Sequence, residues 1–303
     1  MSTVIRNDSD LFRTLNIYGN TTNGMQKSML KISSGLRINS AGDDPSGWVV
    51  SKRMLEQISS TDQAEMNVQT DTSMIRVAEA SIANTVEIIH TLRDRAINSA
   101  NDHNGEDERA IIQYEAQQLL SQIDNNSRVA FNGKKLLDGS QSSEGLSFHV
   151  GGEANFSITV KIADMSVKGL GLENLDLSTR EGALDAIGYR MPDGSHVDSG
   201  TKIINAAGEE ETVYGMLDGA LKKALAQQSM LGALEETLGF TSDNLLGISE
   251  NMTAANGVIT DADIAEEMAH YVKLNILSQS AQYILAQINQ NAASVLDLLT
   301  PVQ

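Results

Sequence analysis

The sequence predicts a mainly α protein: a long coiled-coil-like helical rod with paired terminal helices and a small β-hairpin region. Three observations predict it. Apolar residues recur at the alternating four- and three-residue steps of a coiled coil over most of the chain. Only three prolines interrupt 303 residues. Aromatics are 4% against an apolar share of 41%, so the core must be built from aliphatic side chains, Met and Ala. Long helical seams tolerate that better than a compact enzyme does.

The first helix carries Leu11, Leu15, Tyr18, Thr22, Met25, Met29, Ile32 and Leu36 at the coiled-coil steps, with Asn7, Asp8 and Ser9 as caps. The pattern stops at Gly42, Asp43, Asp44, Pro45, Ser46 and Gly47. Pro45 disfavours helix in the residue before it and suits the first turn of a new helix, which Asp43 and Asp44 can cap. This stretch predicts a joint between two helical bodies. A second helix resumes from Ser46 through Met54, Ile58, Thr61, Glu65, Val68, Thr72, Ile75, Ala78, Ile82, Thr85, Ile89, Leu92 and Ala96, with a soft point expected at Thr61 and Glu65. Running to about residue 100, it would be about 80 Å long at about 1.5 Å per residue. Asn101 to Asp107 supplies turn residues, and Glu106 to Glu108 place acid at the start of the next helix. That helix runs to about Val129, with Ile112, Ala116, Leu119 and Ile123 on one face.

After the turn Phe131-Asn132-Gly133, the segments Leu146–Val150 and Asn155–Ile162 alternate about Gly151-Gly152 and predict a hairpin. Tyr189 to Thr212, with Pro192-Asp193-Gly194, reads as a short insertion of strand character. The coiled-coil period returns with Leu217, Leu221, Ala224, Gln228, Leu231, Leu238, Leu245 and Met252. Gly232 and Gly239 each weaken this helix by about 1 kcal/mol relative to Ala and are expected to allow close packing. Asn256 and Gly257 are expected to break it, mirroring the joint at Gly42. The last helix, about Asp261 to Leu299, places Leu274, Leu277, Ala281, Ile284, Ile288, Val295 and Leu298 on its main face, widened by Leu285, Ala292 and Leu299. The expected domains are 1–43 with 258–303 as an inner helical domain, 44–188 and 213–257 as a rod domain, and 189–212 as a variable insertion.

The chemistry is sparse. A formal charge of −18 opposes nucleic-acid binding, which needs cationic side chains to release phosphate counterions. No stretch approaches eighteen consecutive apolar residues, so no membrane span is expected. The amino end shows no basic region followed by an apolar core, so export by a cleaved signal peptide is not expected. No cysteine is present, which removes disulfides and thiolate metal sites. His90, His103, His149, His196 and His270 are scattered, and Asp261-Ala262-Asp263 reads as a helix cap rather than a calcium loop. No metal, cofactor or nucleophile–base pair is nominated, so an enzyme is not expected. The face of the terminal helices is wider than one partner helix covers. It points to packing against other copies, and heterologous contacts of that kind build open helical filaments. The spacing alone leaves open one terminal coiled coil in a monomer or dimer.

Several stretches resemble bacterial flagellins. They are SSGLRINSAGDDPSGWVVSKRM (Ser33–Met54), the FNGKK turn from Phe131, ADMSVKGLGL from Ala163, and the segment from Asp261 to Leu299. The resemblance covers about residues 1–180 and 215–303. It implies a structural subunit that self-assembles into the extracellular flagellar filament, with Leu11, Leu15, Tyr18, Met25, Met29, Ile32, Leu36, Leu274, Leu277, Ala281, Ile284, Ile288, Val295 and Leu298 at the polymerisation interface. It implies Gly42, Asp43, Asp44, Pro45, Gly47, Asn256 and Gly257 at the interdomain joint. Its implied partners are many copies of the chain, a flagellar export chaperone, the filament cap and hook-junction proteins. An innate immune receptor contacts many flagellins; Arg93, Asp94 and Glu115 match that site, while Thr91 and Arg95 depart from its usual Arg and Leu, so weak recognition is expected. The hook–filament junction protein shares the terminal domains and is the nearest rival. A soluble helical signalling hairpin would show its signature at a central bend rather than at the ends.

Overall fold

The computed structural model describes residues 9–191, 195–204 and 210–299, with no account of the side chains at 204, 210, 211, 292 and 295–299. Asn7, Asp8 and the Pro192-Asp193-Gly194 turn lie outside the described residues, as do the side chains of Val295 and Leu298. In chain order the elements are α1 (Ser9–Ser34), α2 (Pro45–Ser99), α3 (Glu106–Ser127), β1 (Ala130–Phe131), β2 (Lys134–Lys135), β3 (Leu146–His149), β4 (Ser157–Val160), α4 (Val167–Leu170), α5 (Arg180–Ile187), β5 (Tyr189–Arg190), β6 (His196–Val197), β7 (Thr201–Ile204), β8 (Glu210–Val213), α6 (Met216–Thr260) and α7 (Ile264–Leu299). The chain is mainly α. Its strands form four separate antiparallel pairs, β1–β2, β3–β4, β5–β6 and β7–β8.

The chain divides into two compact units, one made of Met1–Ser59 with Ser249–Gln303 and the other of Ser60–Ile248. The second unit holds the aliphatic core. In α2 the inward positions are Thr61, Ala64, Val68, Asp71, Ile75, Ala78, Ile82, Thr85, Ile89, Leu92, Ala96 and Ser99, an unbroken alternation of three and four, and all but Asp71 are buried. In α6 Leu217, Ala220, Ala224, Gln227, Leu231, Leu238 and Leu245 face the same core. Arg76–Glu235 at 2.7 Å and Arg93–Asp218 at 3.4 Å set α6 antiparallel to α2. Asn126 Nδ2 donates to Thr85 Oγ1 at 3.5 Å and Arg109 Nε to the Ser99 carbonyl at 3.0 Å, so α3 runs back along α2. Of the face expected on α3, Ile112, Ala116 and Ile123 are buried.

Local chemistry closes each element. The backbone N–H of Gly105 donates to Glu108 Oε2, and Glu106, Asp107 and Glu108 fill the first turn of α3, where its positive end favours acid. Asn132 (φ 48°) and Gly133 (φ 79°) make the two-residue turn joining β1 to β2, a geometry that needs positive φ at both positions. The β3–β4 hairpin forms with Leu146 opposite Val160. Its connection spans 150–156 and is longer than the Gly151-Gly152 turn the alternation predicts. The insertion contains two hairpins, β5–β6 and β7–β8.

Three expectations are corrected. First, Glu65 and Thr72 lie beside the α2 seam, because Ala64 and Asp71 take the inward positions and the helix passes through Thr61 without a break. Second, Gly232 and Gly239 face open space: a Cβ added at either would meet nothing within 4 Å, so they admit no close neighbour. Third, α6 continues through Asn256 and Gly257 to Thr260. A helical glycine costs about 1 kcal/mol, too little to end a helix of this length.

Asp71 is the one acid on the α2 seam, and burial pushes its carboxyl up from 3.8 to about 6. The folded chain therefore holds this proton more tightly than the unfolded chain. Its contribution is fully favourable below about pH 4 and is lost as the pH rises through about 6. Asp71→Asn is expected to raise the melting temperature of the dilute subunit at pH 8, with the difference closing at pH 4; melts at the two pH values check it.

Candidate assembly site on the terminal helices

The unit formed by the chain ends is packed differently from the other. Among its described residues only Ile38 and Ala281 are buried apolar side chains. Its centre is an antiparallel pair, α1 against α7. Gln282 Nε2 donates to Tyr18 Oη at 3.2 Å, a Cβ at Gly24 would lie 3.1 Å from Leu274 Cδ1, and Lys31 Nζ stands 3.9 Å from Glu267 Oε1.

The inward residues of α1 are Leu11, Thr14, Tyr18, Thr21, Met25, Ser28 and Ile32. Half of the expected seam is there: Leu11, Tyr18, Met25 and Ile32 are half-buried. The other inward column is Thr14, Thr21 and Ser28, which are the buried residues of the helix. The larger apolar residues one position further on lie outside the seam, with Leu15 45% and Met29 54% exposed. On α7, Ser278 and Ala281 are buried, Leu274, Leu285 and Ile288 half-buried, and Leu277 and Ile284 are 42% and 52% exposed. The residues expected at a polymerisation interface thus divide into two sets. Leu11, Tyr18, Met25, Ile32, Leu274, Ala281 and Ile288 pair the helices within one chain. Leu15 and Met29, with Phe12, Met268 and Val272, lie exposed on the edge of the hairpin that carries the Tyr18–Gln282 contact, and Leu277 and Ile284 lie exposed on the opposite edge, the side of His270.

Leu36 is a correction of another kind. It lies past the end of α1, in an isolated antiparallel bridge with Asp261. Gly35 has a φ of 73°, a left-handed conformation that glycine adopts without a Cβ clash and that ends the helix. The Arg37 N–H donates to the Thr260 carbonyl at 2.6 Å, the Ala262 N–H to the Gly35 carbonyl at 2.9 Å, and Arg37 Nη2 to the Ile259 carbonyl at 2.6 Å. These bonds lace the two chain turns together, so the C-terminal half of the joint is Asp261–Asp263 rather than Asn256 and Gly257. Asn256 Oδ1 is buried without a hydrogen-bond partner.

The N-terminal half of the joint is built by its acids. Asp44 Oδ1 accepts from the N–H groups of Ser46 and Gly47, each at 3.1 Å, and caps α2 with Pro45 in its first turn. Asp43 does not cap; it accepts from Asn39 N, Ser40 N and Ser40 Oγ. The Ser40 hydroxyl bond, followed by those backbone bonds, holds the Asp43 carboxyl below its ordinary value. Gly47 has no room for a side chain, since a Cβ there would lie 2.5 Å from Asp44 Oδ2 and 2.7 Å from Ile38 Cδ1. Asp263 Oδ1 accepts from Ala265 N and Glu266 N, which makes it the cap of α7.

One constellation has no signal in the sequence. Ser28 donates to Glu267 Oε1 at 2.7 Å and lies 3.0 Å from His270 Nδ1, across more than two hundred residues. The residue types are those of a nucleophile, base and acid. Ser28, however, is 2% exposed between two helices and directs its hydrogen at the carboxylate. Among the described residues no group of three or more His, Asp or Glu is placed to hold a metal ion, and no helix is long and apolar enough to cross a membrane.

In the other unit, Arg93 pairs with Asp218, and Arg95 pairs with Glu115 at 2.9 Å. Asp94 is exposed.

The two ends of the chain thus fold together into a thinly filled hairpin that leaves large apolar side chains exposed. Residues 9–142 match the bacterial flagellin N-terminal helical region, and residues 214–299 match the bacterial flagellin C-terminal helical region. The chain is 36% identical over 303 residues to the flagellin of Bacillus subtilis (strain 168), covering 94% of this chain and 96% of that protein. It is 35% identical over 290 residues to the flagellar filament 33 kDa core protein of Treponema phagedenis, covering 93% and 94% respectively. The crystal structure of Bacillus cereus flagellin is similar over 63% of this chain and 94% of that chain, with 22% identity and a TM-score of 0.44. The chain belongs to the bacterial flagellin family, and it is a structural subunit of the extracellular flagellar filament.

The cap at the joint has a measurable consequence. Asp44→Ala is expected to cost about 1 kcal/mol of helix stability at the start of α2. Trp48 is the single tryptophan and sits under Lys52 Nζ at 4.4 Å. Its fluorescence in a denaturant titration reports the loss as a lower midpoint.

Proposed function

We propose that the subunit polymerises by laying the two uncovered edges of its terminal hairpin against the same helices of neighbouring copies. Leu15 and Met29 of α1 and Leu277 and Ile284 of α7 are the residues to be covered. Leu11, Tyr18, Met25, Ile32, Leu274, Ala281 and Ile288 hold the hairpin itself. The observation that carries this reading is the pairing of only two buried apolar side chains with a long row of exposed ones in the terminal unit. Each Leu, Ile or Met moved from water into a packed contact contributes about 1.5–3 kcal/mol, so a row of them supplies the driving force that the isolated hairpin lacks. Two different apolar edges on one hairpin can meet each other between copies, a heterologous contact that propagates rather than closes.

In this reading 1–43 and 258–303 form the inner helical domain, 44–188 and 213–257 the rod domain, and 189–212 a short outer insertion. The exposed face of α7 is what an export chaperone would shield before assembly, and the filament cap and hook-junction proteins would meet the same terminal helices. The subunit has no catalytic role. Leu15→Asp combined with Leu277→Asp is expected to abolish seeded growth of long filaments while leaving the thermal unfolding of the 60–248 unit unchanged. Sedimentation and electron microscopy check the first, and calorimetry the second. Filament growth at the wild-type rate contradicts the reading, and a chain that caps seeds without elongating would instead fit a hook–filament junction protein.

A second reading concerns the innate immune receptor. The Arg95–Glu115 and Arg93–Asp218 pairs engage within the chain two of the three charged side chains that the receptor site would use. Together with Thr91 in place of the usual Arg, this supports weak receptor activation. A cell reporter given purified subunit should respond well below the potency of a flagellin that keeps the usual residues, and Arg95→Leu with Thr91→Arg should raise the response.

A further inference from the structure

Beyond the backbone bonds of the joint, the side chains along the α1–α7 seam are nearly blind to register. The apolar column of α1 repeats every seven residues, so sliding α1 by one heptad against α7 returns apolar side chains to apolar places. The hydroxyl column adds little, because two of its three members serve their own helix. Thr14 Oγ1 donates to the Asp10 carbonyl at 2.7 Å, and Thr21 Oγ1 lies 3.0 Å from the Ile17 carbonyl and 2.9 Å from that of Tyr18. Ser28 is the member that reaches across.

A hydroxyl carries one hydrogen and a carboxylate only accepts, so the Ser28 hydrogen goes to Glu267 Oε1 at 2.7 Å. The 3.0 Å contact with His270 Nδ1 then requires the imidazole to donate and Ser28 Oγ to accept. Lys31 Nζ, 3.9 Å from the same Glu267 oxygen, adds a charge on the next turn of α1. With Ser28 only 2% exposed, leaving its hydroxyl unmet would carry the full cost of burying a polar group.

We infer that Ser28, held by Glu267 and His270, is a register lock that, beyond the backbone bonds of the joint, fixes the alignment of α1 on α7 along their length. This rests on the reading that the hairpin presents the assembly surface: a single alignment fixes the heights of Leu15 and Met29 on one edge relative to Leu277 and Ile284 on the other in every copy. The two nearest alternatives both break the lock. Sliding one way sets Ser28 against Leu274 and Leu277 and leaves Glu267 beyond the end of α1, facing Gly35. Sliding the other way brings Thr21 and Gly24 to Glu267, exchanging the serine for a threonine already bonded to its own helix and removing the lysine. A buried polar group at one heptad position is a known means of specifying register, at a cost in stability.

The chain has no cysteine, so engineered pairs report alignment cleanly. Gly24→Cys with Leu274→Cys reads the native alignment, since a Cβ at Gly24 would lie 3.1 Å from Leu274 Cδ1. Gly24→Cys with Ala281→Cys reads the alignment slipped by one heptad. Each pair is oxidised in dilute subunit and in filaments, and the closed intrachain loop is measured on non-reducing gels with peptide mass analysis. With Ser28 present, the first pair closes and the second does not. In Ser28→Ala or Glu267→Ala the slipped loop is expected to rise about tenfold relative to the native one, the scale of one charge-assisted hydrogen bond, while Ser28→Thr keeps the native pattern. An unchanged ratio in both alanine variants overturns the lock. Failure of the unmodified chain to polymerise would instead overturn the assembly reading, and the loops in dilute subunit would still report the register.

Discussion

The structure depends on how little the terminal hairpin buries. Two helices of 26 and 36 residues meet along a line where every second contact is a small hydroxylated side chain, Thr14, Thr21 and Ser28 on one side and Ser278 on the other. Small residues let the helix backbones approach, but they remove little apolar surface from water. The large side chains that could have filled the line stand one position away, at Leu15 and Met29. The hairpin is therefore a thin core with apolar side chains left exposed beside it.

The unit of residues 60–248 uses the same three-four spacing with a different filling. There Val68, Ile75, Ile82, Ile89 and Leu92 on α2 and Leu217, Leu231 and Leu238 on α6 meet in a continuous aliphatic core, reinforced by β-hairpins and by side chains that tie loops to helices. Gln113 is one such tie: its Oε1 accepts from the Leu177 N–H and its Nε2 donates to the Leu175 carbonyl. This body has a core of its own, and Asp71 is the one acid on its α2 seam. The contrast assigns the functions. One unit is filled by its own side chains, and the other leaves large apolar side chains exposed, as the proposed assembly requires.

Much of this was legible in the sequence, and the misses share one cause. Helix positions, the turn at Asn132-Gly133, the acid cap at the joint and one column of every seam follow from spacing and residue chemistry. The second column was read one position late in α1, α2 and α6 (Leu15 for Thr14, Glu65 for Ala64, Leu221 for Ala220, Gln228 for Gln227) and one position early in α7 (Leu277 for Ser278). A reading that seeks the larger or more apolar side chain chooses the flank, because the seam itself is filled by small residues and by Gln227, whose Oε1 accepts from the Ala163 N–H. Asn256-Gly257 misled for a related reason, since turn-forming residues inside a helix of 45 residues are overruled by the hydrogen bonds on either side. The Ser28–Glu267–His270 cluster could not be read at all. Its members lie at opposite ends of the chain, and only the antiparallel pairing brings them together.

Family membership and packing lead to the same account, in which the ends of a flagellin subunit complete their core in the filament. The most direct measurement is amide hydrogen exchange in α1 and α7, followed from dilute subunit to assembled filament, with the 60–248 helices as the internal reference. Exchange in α1 and α7 should be fast in dilute solution and slow by orders of magnitude on assembly, while the reference helices stay protected throughout. Terminal helices as protected as the reference in dilute subunit, and indifferent to concentration, would contradict it.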